Sequence, residues 1–208
     1  MFWTSQSVVK SEVPVFNVNF YLMGKEEVDQ KITVQIGENI EYLNQEFEGR
    51  IKFRLNRLFM DPNHAYIPQL HEDFVNQSHS LVDELTRPIE ITGGINVFLF
   101  ETYSTNDGRS AMMGFTPVLS AYQSSYAANS PRFDRLFIAY PGLSDKSTLV
   151  HEMGHFFGLS HPWSLDAVSR SFMGLASEDE LANNHMTYNA NVNRFTTEQL
   201  DRMQHYAL

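Results

Sequence analysis

The stretch from His151 to His161, His-Glu-Met-Gly-His-Phe-Phe-Gly-Leu-Ser-His, constrains the fold of this chain more than any other. It predicts a helix that carries two imidazoles on one face, stops at a glycine and turns back on itself. His151 and His155 are four residues apart, so on a helix they project from one side, one turn from each other. Two imidazole nitrogens so placed can meet one ion at about 2.0–2.1 Å. Glu152 lies about 100° further round the helix. Its carboxylate is kept off the ion but within reach of a bound water, where it can act as general base. Gly158 suits a helix C-terminus because glycine adopts positive φ freely. The turn would bring His161 back to the same ion, and Pro162 prevents the helix from resuming. Three protein ligands leave a fourth position open, as a catalytic zinc requires.

Other readings compete with this one. An isolated H-E-x-x-H can be ordinary helix surface, but the added Gly158 and His161 favour a metal site. Glu178 or Glu180 could supply the third ligand in a thermolysin-like arrangement, leaving His161 free. A zinc protein without activity, which uses its cleft only to bind a partner, is the rival from another class. Glu152 speaks against it, since a structural site has no use for a base beside the ion.

The extended motif resembles the zinc site of the metzincin metallopeptidases. That resemblance implies a Met-turn beneath the ion, for which the candidate is His185-Met186-Thr187-Tyr188. Met186 would floor the three histidines, and Tyr188 matches a tyrosine that stabilises the oxyanion in several metzincin families. Plain core packing is the alternative for both residues. Phe195-Thr-Thr-Glu-Gln199-Leu-Asp-Arg202-Met203 is similar to the F-T-x-x-Q-x-x-R-M segment of pappalysin-like metzincins, as is Thr148 to Leu159 to their active-site helix. The likeness covers about residues 134–208. The chain departs from that family in Thr187, where Asp is common, and in having no cysteine.

The resemblance implies an α/β (α+β) catalytic domain over 1–208. A twisted mixed sheet and the active-site helix would form an N-terminal lobe, about 1–161. A small irregular lobe, about 162–208, would end in a helix. It also implies an edge strand that pairs with the substrate backbone. Ala111 to Val118 is in the right order for it, with Met112, Met113, Gly114 and Phe115 as the candidate contacts. Pro117 fits an edge, and an extended peptide can add to such an edge by main-chain hydrogen bonds.

The residue pattern predicts further elements. Val15–Leu22 and Ile51–Leu58 alternate as strands. Ile36, Ile40, Leu43 and Phe47 have helical spacing and end at Gly49. Ile95–Phe100 and Leu136–Tyr140 are apolar runs suited to central strands. Ser144 or Asp145 can cap the histidine helix, with Leu149, Val150, Met153 and Phe157 on the sheet. Residues 71–86 suggest a helix or irregular insertion, 120–130 a surface loop, and 162–194 an irregular lobe. Thr196 and Gln199 form a capping-box pattern before a final helix with Leu200, Met203 and Ala207 as its buried stripe. His64, His71, His79, His185 and His205 have no ligand spacing and read as surface or structural residues.

Composition excludes several partners. With 25 acidic against 15 basic residues the net charge is −10, which disfavours nucleic acid and anionic membranes. No apolar run approaches the ~20 residues needed to cross a bilayer. Zero cysteines exclude disulfides. The start, Met1-Phe-Trp-Thr-Ser-Gln, has neither basic region nor long apolar stretch, so no secretory signal is legible in it; the resemblance implies secretion all the same. The expected cofactor is zinc, with calcium as a weaker candidate among the oxygen-rich side chains of 177–193. The expected partner is a peptide or protein substrate, and the expected state a monomer.

Overall fold

The structure, a computed structural model, describes residues 12–63, 86, 88–101, 113–116, 135–188 and 194–208. Its architecture is mixed α/β. Five strands form one sheet: β1 (Val15–Met23), β2 (Lys52–Asp61), β3 (Ile95–Phe100), β4 (Gly114–Phe115) and β5 (Arg135–Ala139), in the order β2-β1-β3-β5-β4. All neighbours are parallel except β4, which runs antiparallel to β5 at the edge. Among the described residues the α-helices are α1 (Gln30–Glu46), α2 (Lys146–Phe156), α3 (Ala167–Phe172), α4 (Glu178–Ala182) and α5 (Thr197–Ala207). Among the described residues no helix is long and apolar enough to cross a membrane.

Strand periodicity sorts the core into two layers. Val18, Phe20, Leu22, Ile95, Val97, Leu99, Leu136 and Ile138 face one side, where they meet Ile36, Ile40 and Leu43 of α1 and Leu149, Val150 and Met153 of α2. Their neighbours Tyr21, Met23, Phe98, Phe100, Phe137 and Ala139 face the other. There Phe59, Tyr21, Phe98, Phe137 and Phe115 stack ring on ring, with centroids 4.8, 4.4, 5.5 and 6.0 Å apart. One ring comes from each of the five strands, and the register pairs match. Cross-strand aromatic pairs favour this register over a slip, which would turn each ring to the opposite face. The row fastens even the two-residue edge strand to the sheet.

The predicted strands and helices agree with these elements, and three details differ. The alternation of β2 breaks at Asn56, where a bulge lets Leu58 instead of Arg57 join the layer of Phe53. α1 starts six residues before Ile36, because the Asp29 side chain accepts from the Lys31 N–H and caps it. The largely irregular stretch 162–188 also holds two short helices: α3 is capped by Asp166, and α4 by a Ser177–Glu180 capping box. Short-range capping builds these helices without an apolar stripe, so periodicity alone misses them. The expectations for 71–85 and 120–130 lie outside the described residues, as do His64, His71, His79 and Met112.

Candidate metal centre

Helix α2 starts on Asp145, whose carboxylate accepts from the Ser147 N–H at 3.1 Å. It packs Leu149, Val150 and Met153 in the core and turns Glu152 toward the edge strand. At its end the Gly158 N–H bonds the His155 carbonyl and the Leu159 N–H bonds the Gly154 carbonyl, both at 2.9 Å, with Gly158 at φ +83°. This pair of bonds is a Schellman stop, which needs the left-handed residue that glycine supplies. The extended backbone of His161 (φ −60°, ψ 140°) then enters a 3-10 turn at Pro162–Ser164.

The turn brings the three imidazoles together. Their Nε2 atoms form a near-equilateral triangle: 3.1 Å from His151 to His155, 3.1 Å from His155 to His161, and 3.2 Å from His151 to His161. Ligand atoms at about 2.0–2.1 Å around a tetrahedral ion lie roughly 3.3 Å apart, so this triangle fits one. Tautomers support the fit. His151 Nδ1 lies 2.6 Å from the His185 carbonyl, and His155 Nδ1 2.8 Å from the Leu159 carbonyl. A carbonyl only accepts, so both Nδ1 atoms carry the proton and both Nε2 atoms present lone pairs to each other. A cation between them relieves that repulsion. Burial lowers the pKa of all three rings: His155 to about 3, with repulsion from His151 and His161 adding to it, His161 to about 4, with repulsion from His151, and His151 below its ordinary value, with repulsion from His185 a smaller contribution than burial. Near neutral pH the three are unprotonated ligands. Among the described residues these three histidines are the group able to hold a metal ion.

Glu152 is buried beside the triangle, against the edge strand. Thr116 Oγ lies 2.7 Å from its Oε2 and 3.0 Å from its backbone carbonyl. Burial pushes the carboxyl up to about 8, with the Thr116 bond pulling the other way; a nearby dication would lower it again. Gly114 marks the closest approach of the strand. A Cβ there would stand 2.7 Å from Glu152 Cγ and 2.8 Å from its Oε1, so only glycine lets the backbone pass the carboxylate. Of the edge-strand candidates, Gly114 thus borders Glu152, while Phe115 turns its ring onto Phe137 and the Met113 carbonyl accepts from the Ala139 N–H at 2.9 Å.

Met186 is fully buried under α2: a Cβ on Gly154 would meet its Sδ at 2.5 Å. Its turn is locked by Asn184, whose carbonyl accepts from the Thr187 N–H (3.0 Å) and whose Oδ1 accepts from the Met186 N–H (3.0 Å). The Asn184 amide donates to Gln199 Oε1 at 2.7 Å. Gln199 in turn closes the capping box of α5 with Thr196, so the start of the last helix braces the turn. Tyr188 is 76% exposed, with its ring 5.6 Å from His151 and 5.2 Å from His161. Partial desolvation beside the imidazoles and the charge of Glu152 raise its pKa.

Glu180 does not join the histidines. It is held in its own capping box, its Oε2 2.8 Å from Ser177 Oγ. Of the described oxygen side chains proposed for calcium, Asp179 bonds Asn183, Glu180 bonds Ser177, and Asn184 bonds Gln199. Two residues escape sequence reasoning. His185 is buried with Nε2 2.8 Å from Glu46 Oε2 on α1, while its carbonyl orients His151. Only its place beside Met186 could have flagged it. Trp163 lays its indole on His161 at 4.3 Å and 12°, and no spacing rule points to it.

Fold and centre together give a mixed α/β domain with a three-histidine group able to hold a metal ion. The chain shares its fold with metalloproteinase-II from Bacteroides fragilis, at TM-score 0.54 and 13% identity, covering 93% of this chain and 53% of that one. A chaperone–substrate complex matches at TM-score 0.51 and 13% identity over 93% of this chain and 34% of that one. The chain therefore spans about half the length of the first structure and a third of the second. No family model and no curated protein matches the sequence.

Proposed function

We propose that this chain is a zinc-dependent endopeptidase of the metzincin kind, pappalysin-like and secreted. The observation that carries the proposal is the Nε2 triangle of His151, His155 and His161 with a buried carboxylate, Glu152, beside it. Zinc bound there would lower the pKa of water toward about 7 and polarise the scissile carbonyl.

The chain's own residues do the rest. Glu152 takes a proton from the attacking water and passes it to the leaving amine as the C–N bond breaks. Thr116 and Gly114 set where that carboxylate stands. The Tyr188 hydroxyl donates to the oxyanion, an interaction worth about 2–4 kcal/mol in other single-donor cases. Its exposed position leaves it room to reach a substrate. Met112, Met113, Gly114 and Phe115, as the edge segment of the sheet, pair with the backbone of an extended peptide, which adds affinity with little demand on sequence. Met186 keeps the helix and its imidazoles at a fixed height.

Peptide-library cleavage tests the proposal. Expected are internal cuts in extended peptides, abolished by a chelator and restored by zinc. Binding of zinc without any cleavage would leave a non-enzymatic zinc protein instead.

A further inference from the structure

We infer that Trp163 is a positioning residue for the third metal ligand, His161. The inference rests on the metal reading of the histidine triangle. The three imidazoles are oriented in two ways. His151 and His155 each donate Nδ1–H to a backbone carbonyl. Among the described residues His161 makes no such bond from Nδ1. Its ring lies flat on the Trp163 indole, 4.3 Å away and 12° from parallel.

The local backbone builds that stack. Pro162 starts the 3-10 turn, and the His161 carbonyl accepts from both the Ser164 N–H (3.0 Å) and the Ser164 hydroxyl (2.7 Å). These bonds fix the segment from His161 to Ser164, so the indole two residues on is held against the imidazole face. Trp163 is 56% exposed and belongs to neither core layer. Its described ring neighbours are His161 and Tyr188, the latter at 5.0 Å. An indole left in solvent contributes little to folding, but face contact stops the imidazole from rotating off the ion. An electron-rich face also favours an imidazole that carries part of a dication's charge. Outer partners of metal-bound histidines typically change affinity about 10- to 100-fold, and stacking belongs near the lower end of that range.

The test uses Trp163→Ala and Trp163→Phe in the full chain. Zinc affinity is read by competition with a chromogenic chelator, geometry by the visible spectrum of the cobalt-loaded protein, and folding by the melting temperature without metal. Trp163→Ala is expected to weaken zinc about tenfold and alter the cobalt bands, while the metal-free melting temperature stays put. Trp163→Phe, which keeps an aromatic face, is expected to restore most of the affinity and the wild-type bands. Wild-type affinity and spectrum in Trp163→Ala would overturn the assignment. So would a loss of affinity matched by a fall in metal-free melting temperature. A wild-type protein that binds neither zinc nor cobalt would instead refute the metal reading beneath it.

Discussion

The two halves of the metal centre are built on different principles. His151, Glu152 and His155 ride on one regular helix, and each imidazole is keyed to a carbonyl by Nδ1. His161, Met186 and Tyr188 come from turns. They depend on contacts with residues distant in the chain or on stacked rings: Asn184 and Gln199 for the Met186 turn, Trp163 for His161. A helix sets relative positions by its 3.6-residue repeat and tolerates little change on its working face. A turn sets them through several separate contacts, so its losses should come in steps.

The most severe test of the helix-borne half is Glu152→Gln. It is expected to keep zinc, since Glu152 is not among the triangle, and to lower turnover by at least about 10²-fold, the low end for a general base. Steady-state cleavage beside metal analysis measures both. A near-normal rate would mean that the base lies elsewhere. Next in size is His161→Ala, expected to lose most bound zinc by atomic emission, whereas Glu180→Ala should retain it. Zinc loss in the second variant and not the first would restore the carboxylate-ligand alternative.

Gly154→Ala probes the seam between the halves. Its Cβ would run into Met186 Sδ at 2.5 Å and Phe195 at 3.3 Å. Overpacking of this kind costs about 1–3 kcal/mol, which corresponds to a fall of roughly 2–12 °C in melting temperature for a chain of this size. Unchanged stability would show that Met186 can move aside. A smaller effect is expected for Thr116→Val, which removes the hydroxyl held by Glu152: about a tenfold loss in kcat, wild-type zinc content and recovery in Thr116→Ser. One hydrogen bond to a charged group sets that scale.

The last comparison is a pH dependence of the metal-free protein, and its sign differs between the groups. The histidines have folded pKa values below the ordinary 6.5. Their contribution to stability is present above pH 6.5 and is lost as pH falls toward 4 and 3. Glu152 is raised from 4.5 to about 8. Its contribution is present below pH 4.5 and is lost as pH rises through 8. Between pH 6.5 and 8 the histidine contribution is flat, so any decline arising from this centre there belongs to Glu152. Melting curves across that range should slope down in the wild type and less in Glu152→Gln. Equal slopes would place the carboxyl in a wetter setting than its burial indicates.

Much of this protein is legible residue by residue. The i, i+4 histidines, the glycine stop, the Asp145 cap and the Thr196–Gln199 box are local patterns whose geometry follows from helix parameters. The strand at Val15 follows from its alternation, and those at Ile95 and Leu136 follow from their apolar runs. Other features are hidden because they join distant segments. The five-ring row needs the strand order before its members become neighbours. The approach of Gly114 to Glu152 and the Glu46–His185–His151 chain link residues 34 to 139 positions apart.

By itself, then, the sequence determined which side chains could bind a metal and where their helix had to end, because helical periodicity and glycine conformation act over a few residues. Tertiary structure alone decided that Glu180 stands apart, that Thr116 and Gly114 set the carboxylate, and that an indole rests on His161. Those outcomes depend on how strands, turns and helices pack, and packing is a property of the assembled core.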